Sequence, residues 1–471
     1  MSSIWLLDTL TGEQRELVPL EPGHIRIYSC GPTVYGPAHI GNFRSFLFAD
    51  LLVRYLRYRG LRVTWVMNIT DIDDKIIRGA AAQGISIGEL AERWTARFVA
   101  DGSALRMSPP DVLPRATEHI PEITGLISTL LEREHAYRTD DGSIFFRIAS
   151  WPSYGRLARL EPDQLRVGER VEADEYAKDD VRDFALWKGP KPGEPSYPTS
   201  VGEGRPGWHI ECSAMSMKHL GPSFDIHTGA VDLIFPHHED ELAQSEAATG
   251  QPFVQTWLHC AHLQMAGSKM AKSTGNIARV EDLLARGVSP RALRYVLISV
   301  HYRAALNYTE ASLGAAGSAL DRYDALLAAL ALYQRPGADD AGLPELISST
   351  RAAFEQALDD DLNIAPALAS LFDFIREINR RIDGRVLSTA DAGSVVSFLA
   401  DLDRVLGIGP DIAEERLEPE LEALLEARAD ARTARDWAES DRLRDELAAR
   451  GIVVEDSRDG QRWRRQEAAN V

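Results

Sequence analysis

The 471-residue chain has only 3 cysteines, at Cys30, Cys212 and Cys260. Their odd number and wide spacing exclude a disulfide framework and leave free thiols or metal ligands in a reducing compartment. No hydrophobic run approaches a membrane span, so no membrane partner is expected. Asp8, Glu13 and Glu16 interrupt the N-terminus too early for a signal peptide, and a cytoplasmic location is the expectation. Positive charge is also scarce: 52 Lys and Arg face 71 Asp and Glu, a net charge of -19. That balance argues against indiscriminate binding to nucleic acid. The deficit is uneven, because residues 431–471 carry nine Arg against nine acids. Any polyanion must therefore be met by local patches. There is no His-Glu-x-x-His, no Gly-x4-Gly-Lys, no internal repeat and no low-complexity block. A full core is present, with 44% hydrophobic and 26% charged residues, and the length suits about three domains.

The chain is organised around Cys30-Gly31-Pro32-Thr33-Val34-Tyr35-Gly36-Pro37-Ala38-His39-Ile40-Gly41-Asn42. His24 to Ser29 before it reads as a strand. Phe43, Phe46, Leu47, Leu51 and Tyr55 after it recur at helical spacing, and Leu61 to Met67 reads as a second strand. The result is a β-α-β unit whose first turn carries a thiol and an imidazole. Gly41 at the helix start lets a phosphate approach the backbone amides, where the helix dipole favours an anion.

Two further stretches carry chemistry. In Phe224 to Glu241, Pro236 suits a helix's first turn and Gly250 its stop, so that His237 and Glu241 share a face. An imidazole, a carboxylate and the distant thiols of Cys30 and Cys212 make a possible tetrahedral zinc set. On spacing alone a solvated helix start and two core cysteines stay open as the alternative, and Cys260 reads as a packed thiol. In Gly267 to Asn276, Lys269 and Lys272 lie among Gly and Ser, as a loop that follows charge on a triphosphate would need. A solvated basic loop is the other reading. Residues from about 110 to 200 are choppy, with a Pro/Gly-rich loop from Gly189 to Pro206. From Ser289 the chain is mostly helical, with a linker at Gln334 to Pro344 and bundle periodicity from Leu346 to Leu406.

His39-Ile40-Gly41-Asn42 resembles the HIGH motif of class I aminoacyl-tRNA synthetases, and Lys269-Met270-Ala271-Lys272-Ser273 resembles their KMSKS loop. Asn68 to Lys75, Gly207 to Met215, Phe235 to Glu239, His301-Tyr302-Arg303 and the run from Asp436 to Arg465 narrow the resemblance to the cysteinyl-tRNA synthetases, over nearly the whole chain. The resemblance implies an α/β fold: a Rossmann-type catalytic domain with an insertion, then an α-helical bundle and a small anticodon-binding unit. Its parts fall at 1–110 (first catalytic half), 111–200 (connective insertion), 201–300 (second half with the KMSKS-like loop), 301–410 (helical linker and bundle) and 411–471 (anticodon-binding unit).

The implied reaction is activation of L-cysteine by ATP, with Mg2+, followed by transfer to tRNA(Cys), by a monomer. His39, Asn42, Lys269 and Lys272 would be catalytic. ATP would lie against these four with Gly41, Gly229 and Asp232. One zinc ion per chain would be held by Cys30, Cys212, His237 and Glu241, with His237 preferred to His238 by motif position. Gly31, Thr70, Trp208 and His227 would line the cysteine pocket. Arg432, Asp441, Asp456 and Trp463 would contact tRNA. Zinc would sort cysteine from serine, since packing alone separates near-isosteres by only about 10², whereas the ion favours a soft thiolate.

Three departures from the family pattern stand out: Asn42 for the second His of HIGH, Ala271 for the middle Ser of KMSKS, and Ala230 where a second Gly is common. Rival readings are a cysteine ligase with an amino sugar acceptor, a zinc hydrolase and a non-catalytic tRNA-binding paralogue. The tail from Leu417 to Arg465, the missing metal-side base, and retention of both His39 and Lys272 argue against them in turn.

Overall fold

The computed structural model describes residues 3–160, 182–265, 268–269, 278–410, 419–457 and 460–465. The chain divides into two compact units, 1–409 and 410–471.

The first unit is built on a four-stranded parallel sheet. Its elements are β1 (His24–Ser29), α1 (Ile40–Tyr58), β2 (Arg62–Met67), α2 (Trp208–Leu220), β3 (Phe224–Ala230), α3 (Glu239–Thr249) and β4 (Val254–Cys260). Strand order is β4-β3-β1-β2, with Ile27 paired to Trp65 on one side and to Ile226 on the other. The strands are almost wholly buried, as parallel strands covered on both faces must be. From β1 the chain crosses by α1 to β2. From β3 it crosses by α3 to β4, in the opposite direction along the sheet. The carboxyl ends of β1 and β3 are therefore the topological switch point, where open α/β sheets bind their ligands.

Two buried arginines tie α1 to the later chain. Arg44 donates to the carbonyls of Ala261, Leu297, His301 and Ala304 at 2.6–3.2 Å. Arg294 meets Asp50 at 2.8 Å with both side chains sealed from solvent. The His301-Tyr302-Arg303 run belongs to this brace rather than to the site. Tyr302 Oη and Arg303 Nε donate to Asp361 at 2.6 and 2.7 Å, and Asp361 also accepts from the Leu7 amide. Helices Glu310–Ala331, Leu343–Asp359, Ile364–Asp383 and Thr389–Leu406 share one apolar core with α1 through Phe43, Leu47, Leu320, Phe354 and Phe398.

Residues 111–207 hold a helix, Ile120–Glu132, and a five-stranded sheet. The Gly189 to Pro206 segment is not simply a loop, because Tyr197–Thr199 and Gly202–Pro206 pair antiparallel within it. Gly204 answers a close approach: a Cβ there would lie 2.3 Å from the Lys188 carbonyl oxygen. The expected helix start at Pro236 also differs. Ile234–His238 forms one π-type turn interrupted by extended Phe235, and α3 begins at Glu239. A residue before proline is pushed out of the helical region. Gly250 does end the helix, in the left-handed conformation.

The second unit packs helices Pro419–Thr433 and Trp437–Ala449 with a hairpin, Ile452–Ser457 and Gly460–Arg465. Its small core comprises Leu421, Leu425, Leu447, Ile452 and Val454, with Trp463 against it.

Candidate active site and metal centre

His39 is the N-cap of α1. Its Nδ1 accepts from the Asn42 amide at 3.1 Å, while Asn42 Oδ1 accepts from the His39 amide at 3.1 Å. This is a reciprocal capping box. Asn42 thus has a structural task that explains an amide at this position. With Nδ1 committed as acceptor, neutral His39 carries its proton on Nε2. Gly41 lies in the same first turn, which holds no acid, so its amide and the helix dipole there suit an anion. Asn42→Ala is expected to cost about 1 kcal/mol of stability through loss of the bond from the His39 amide, while the His39 Nδ1 cap stays, measured by urea unfolding against the parent.

The Lys269 backbone pairs with Gln264 beside the end of β4. Arg279 bridges to His39, and the Ile40 amide donates to the Ala278 carbonyl at 3.0 Å. The two anchors of the lysine loop thus lie near β4 and at the start of α1. The side chain of Lys269, and Ala271 and Lys272 entirely, lie outside the described residues.

Cys30 follows β1, Cys212 lies in α2, and His237 and Glu241 flank the start of α3. All four side chains are buried. Cys30 Sγ is 3.7 Å from Cys212 Sγ and 3.4 Å from Glu241 Oε1, which is 3.0 Å from His237 Nε2. Ligands at about 2.0–2.3 Å from a tetrahedral ion lie about 3.3–3.8 Å from one another. The two Cys30 contacts fall in that range, the His237–Glu241 contact is shorter, and all four donor atoms lie within 4.8 Å of one another, as a zinc set requires to within a small adjustment. A second set shares Cys30 and Glu241 but uses His227 and His238. His238 Nε2 is 3.3 Å from Cys30 Sγ, and His227 Nε2 is 3.0 Å from Glu241 Oε2.

The charges are strongly coupled. Burial raises Cys30 well above the ordinary thiol range, with help from the neighbouring Cys212. Burial would raise Cys212 too, but its contact with Cys30 and the imidazole of His237 bring it down to about 6. Burial opposes charge on His237, yet Glu241 and Cys212 lift it to about 10. Burial likewise opposes ionisation of Glu241, and His227 and His237 still hold it near 2. His238 is driven well down by burial and His227, and His259, 2.8 Å from it, falls to about 3 for the same reasons.

The four expected pocket residues adjoin this cluster. The Gly31 amide donates to Asn68 Oδ1 at 2.9 Å, and a Cβ there would lie 1.7 Å from the Asn68 carbonyl oxygen, so only glycine fits. Thr70 bridges to Thr33, and its hydroxyl donates to Glu211 Oε2 at 3.1 Å. Trp208 stacks on His237 at 4.1 Å, and His227 stacks on Trp257 at 4.7 Å. Gly229 leaves room for His238, whose Cε1 would be 2.5 Å from a Cβ. Asp232 is exposed, 3.9 Å from His262 Nδ1.

The remaining expected residues lie in the second unit. Arg432 stacks over Trp437, Asp441 pairs with Arg444 at 3.3 Å, and Trp463 pairs with Val454. Asp456 is in the hairpin, with its side chain outside the described residues.

Sequence reasoning set His238 aside in favour of His237 and did not single out Glu211, Glu239, Asp240 or His259 as members of this cluster. A signal was present: Glu239 to Ala248 is polar-rich, has no apolar stripe, and is buried throughout. Each acid there needs a partner. Glu239 takes three backbone amides, from Gly155, Leu157 and Ala158, at 2.7–2.9 Å. Asp240 accepts from the Tyr154 hydroxyl, and Glu246 pairs with Arg156.

Residues 16–318 match a family described as tRNA synthetases class I (C) catalytic domain. Residues 353–408 match a DALR domain, and 414–464 a cysteinyl-tRNA ligase anticodon binding domain. A cysteine--tRNA ligase of Alkalilimnicola ehrlichii is 47% identical over 468 residues, covering 98% of this chain and 99% of that protein. One from Symbiobacterium thermophilum is 45% identical with the same coverage. Among solved structures, Mycobacterium tuberculosis methionyl-tRNA synthetase in complex with methionyl-adenylate superposes with a TM-score of 0.59 at 16% identity, over 82% of this chain and 88% of that one. That likeness shows the class I fold alone.

Proposed function

This chain belongs to the cysteine--tRNA ligases, class I synthetases, and from that premise we propose how its residues carry out the reaction. It is a ligase that uses ATP, L-cysteine and tRNA. The cysteine carboxylate attacks the α-phosphate of ATP, the bond to pyrophosphate breaks, and the adenylate's acyl group then passes to the 3′ end of tRNA(Cys). In-line displacement at phosphorus needs positioning and charge stabilisation more than covalent help. His39 Nε2–H and the Gly41 amide of the first turn of α1 are aimed at phosphate oxygens. Asn42 holds His39 in the donating tautomer. Lys269 and Lys272 follow the charge onto pyrophosphate, which leaves with Mg2+. Gly229 and Asp232 face the ribose.

Cys30, Cys212, His237 and Glu241 would hold a zinc ion, which would favour a substrate thiolate over a hydroxyl. The supporting observation is that these four buried donors, drawn from three separate segments, converge within 4.8 Å of one another. Including both thiols favours this set over the one with His238, because soft sulfur ligands suit zinc. Gly31, Thr70, Trp208 and His227 enclose the rest of cysteine. Arg432, Asp441, Asp456 and Trp463 read the anticodon. Each chain supplies its own donor set, and a monomer is sufficient. Free buried thiols at all three cysteines fit a reducing cytoplasm, and no described helix is long and apolar enough to cross a membrane.

The test is ATP–pyrophosphate exchange with cysteine and with serine, before and after chelation. Exchange that depends on cysteine and collapses on metal removal is expected. Equal exchange with serine sinks the selection reading.

Proton release gives an independent check. At pH 7 Glu241 and Cys212 are already ionised, whereas Cys30 and His237 keep protons that a metal must displace. Zinc addition should release about two protons, so apparent affinity rises about 100-fold per pH unit near neutrality. Below about 6 the Cys212 thiol is protonated as well and the dependence steepens. Calorimetry in buffers of different ionisation enthalpy counts the protons.

A further inference from the structure

A metal-bound imidazole must present a lone pair, and which nitrogen does so is set by the partner of the other. His237 turns Nε2 toward Glu241, at 3.0 Å. Its Nδ1 lies 2.9 Å from Nδ1 of His209. We propose that His209 is a positioning residue for the metal: its Nδ1 accepts the Nδ1–H of His237 and so holds His237 in the tautomer that leaves Nε2 open. The inference rests on the zinc reading above and extends it to residues that the reading does not use.

The arrangement around His209 supports this direction of donation. His209 Nε2 is 3.4 Å from Asp240 Oδ2, so the proton of neutral His209 belongs on Nε2 and its Nδ1 is left as an acceptor. Asp240 is itself fixed by the Tyr154 hydroxyl on its other oxygen. The edge of Phe184, a strand residue of the insertion, packs on the His209 ring at 5.6 Å. The chain of contacts therefore runs from Tyr154 through Asp240 and His209 to His237, all buried or nearly so.

Local geometry explains why these residues meet. His209 and Cys212 are three apart in α2 and share a face, so one helix carries both a proposed ligand and the residue that orients another. His237, Asp240 and Glu241 come from one continuous turn at the start of α3. A hydrogen bond from the Gln244 amide to the His209 carbonyl, at 2.5 Å, locks the two helices together at this level. Trp208, stacked on His237, closes the other side of the ring.

The test measures metal binding rather than turnover. Zinc affinity is determined by chelator competition, and the absorption spectrum is recorded after Co2+ substitution, in the full chain and in H209A, H209Q and H209N. Asparagine keeps an acceptor near the Nδ1 position, whereas glutamine extends its amide past that point and alanine has none. The expectation is that H209A and H209Q bind zinc about 10- to 100-fold more weakly and shift the Co2+ bands, while H209N stays within a few-fold of the parent. Parental affinity in H209A and H209Q would overturn the proposal, as would an H209N as weak as H209Q. If H209A does not fold, the contrast of H209N with H209Q decides. A parent chain that takes up no zinc would defeat the metal reading itself, a separate outcome from losing affinity only in the variants.

Discussion

Cys212→Ala is expected to abolish the preference for cysteine over serine while leaving the fold intact. The parent should discriminate by more than about 10⁴, as sites that make a specific bond to the substrate do, and the variant should fall to about 10² or less, the limit of packing alone. That loss corresponds to at least about 2.8 kcal/mol. Cys212 is within contact of Cys30, and that contact together with the His237 imidazole keeps its pKa low against burial. Its removal takes away one of two soft donors and leaves the His237–Glu241 contact at 3.0 Å. Exchange rates with the two amino acids at saturating ATP give the ratio, and zinc content of the variant gives the cause. A ratio still above 10⁴ would show that discrimination lies elsewhere.

His39→Ala is expected to lower the rate of adenylate formation by about 10²–10³, the usual effect of removing one donor aimed at developing charge. Two functions are lost together, since His39 is also the N-cap of α1. His39→Asn separates them. Asparagine is a good N-cap, so stability should be retained, but no N–H reaches the Nε2 position and kcat should still fall. Single-turnover measurement of adenylate formation, set beside urea unfolding, resolves the two effects. Parental kcat in the asparagine variant would remove His39 from the chemistry.

These outcomes bear on how the site arises. Asn42 looks, from sequence, like a weakened second histidine of the HIGH motif. In the structure it completes a capping box, and its amide fixes the tautomer of His39. His301-Tyr302-Arg303 belongs to the family resemblance, yet it braces Asp361 and the carbonyls around Arg44 rather than lining the site.

What the sequence determined by itself was local or compositional. The first β-α-β unit, the turn after β1 and the glycine stop of α3 are readable from spacing, because strand and helix periods act over a few residues, whereas the four proposed metal donors rested on the family resemblance. The start of α3 was misplaced at Pro236, since the conformation forced on Phe235 outweighs proline's liking for a first turn. Only the tertiary structure decided which side chains share the surroundings of the proposed metal site. His237 and His238 are adjacent in sequence, and both reach the cluster, but only His237 joins a set with both thiols. His209, Asp240 and Tyr154 enter for the same reason. Strand order brings residues more than 200 positions apart to one switch point, and in that dry space the buried acids Glu239, Asp240 and Glu241 are held by partners that no local spacing reveals.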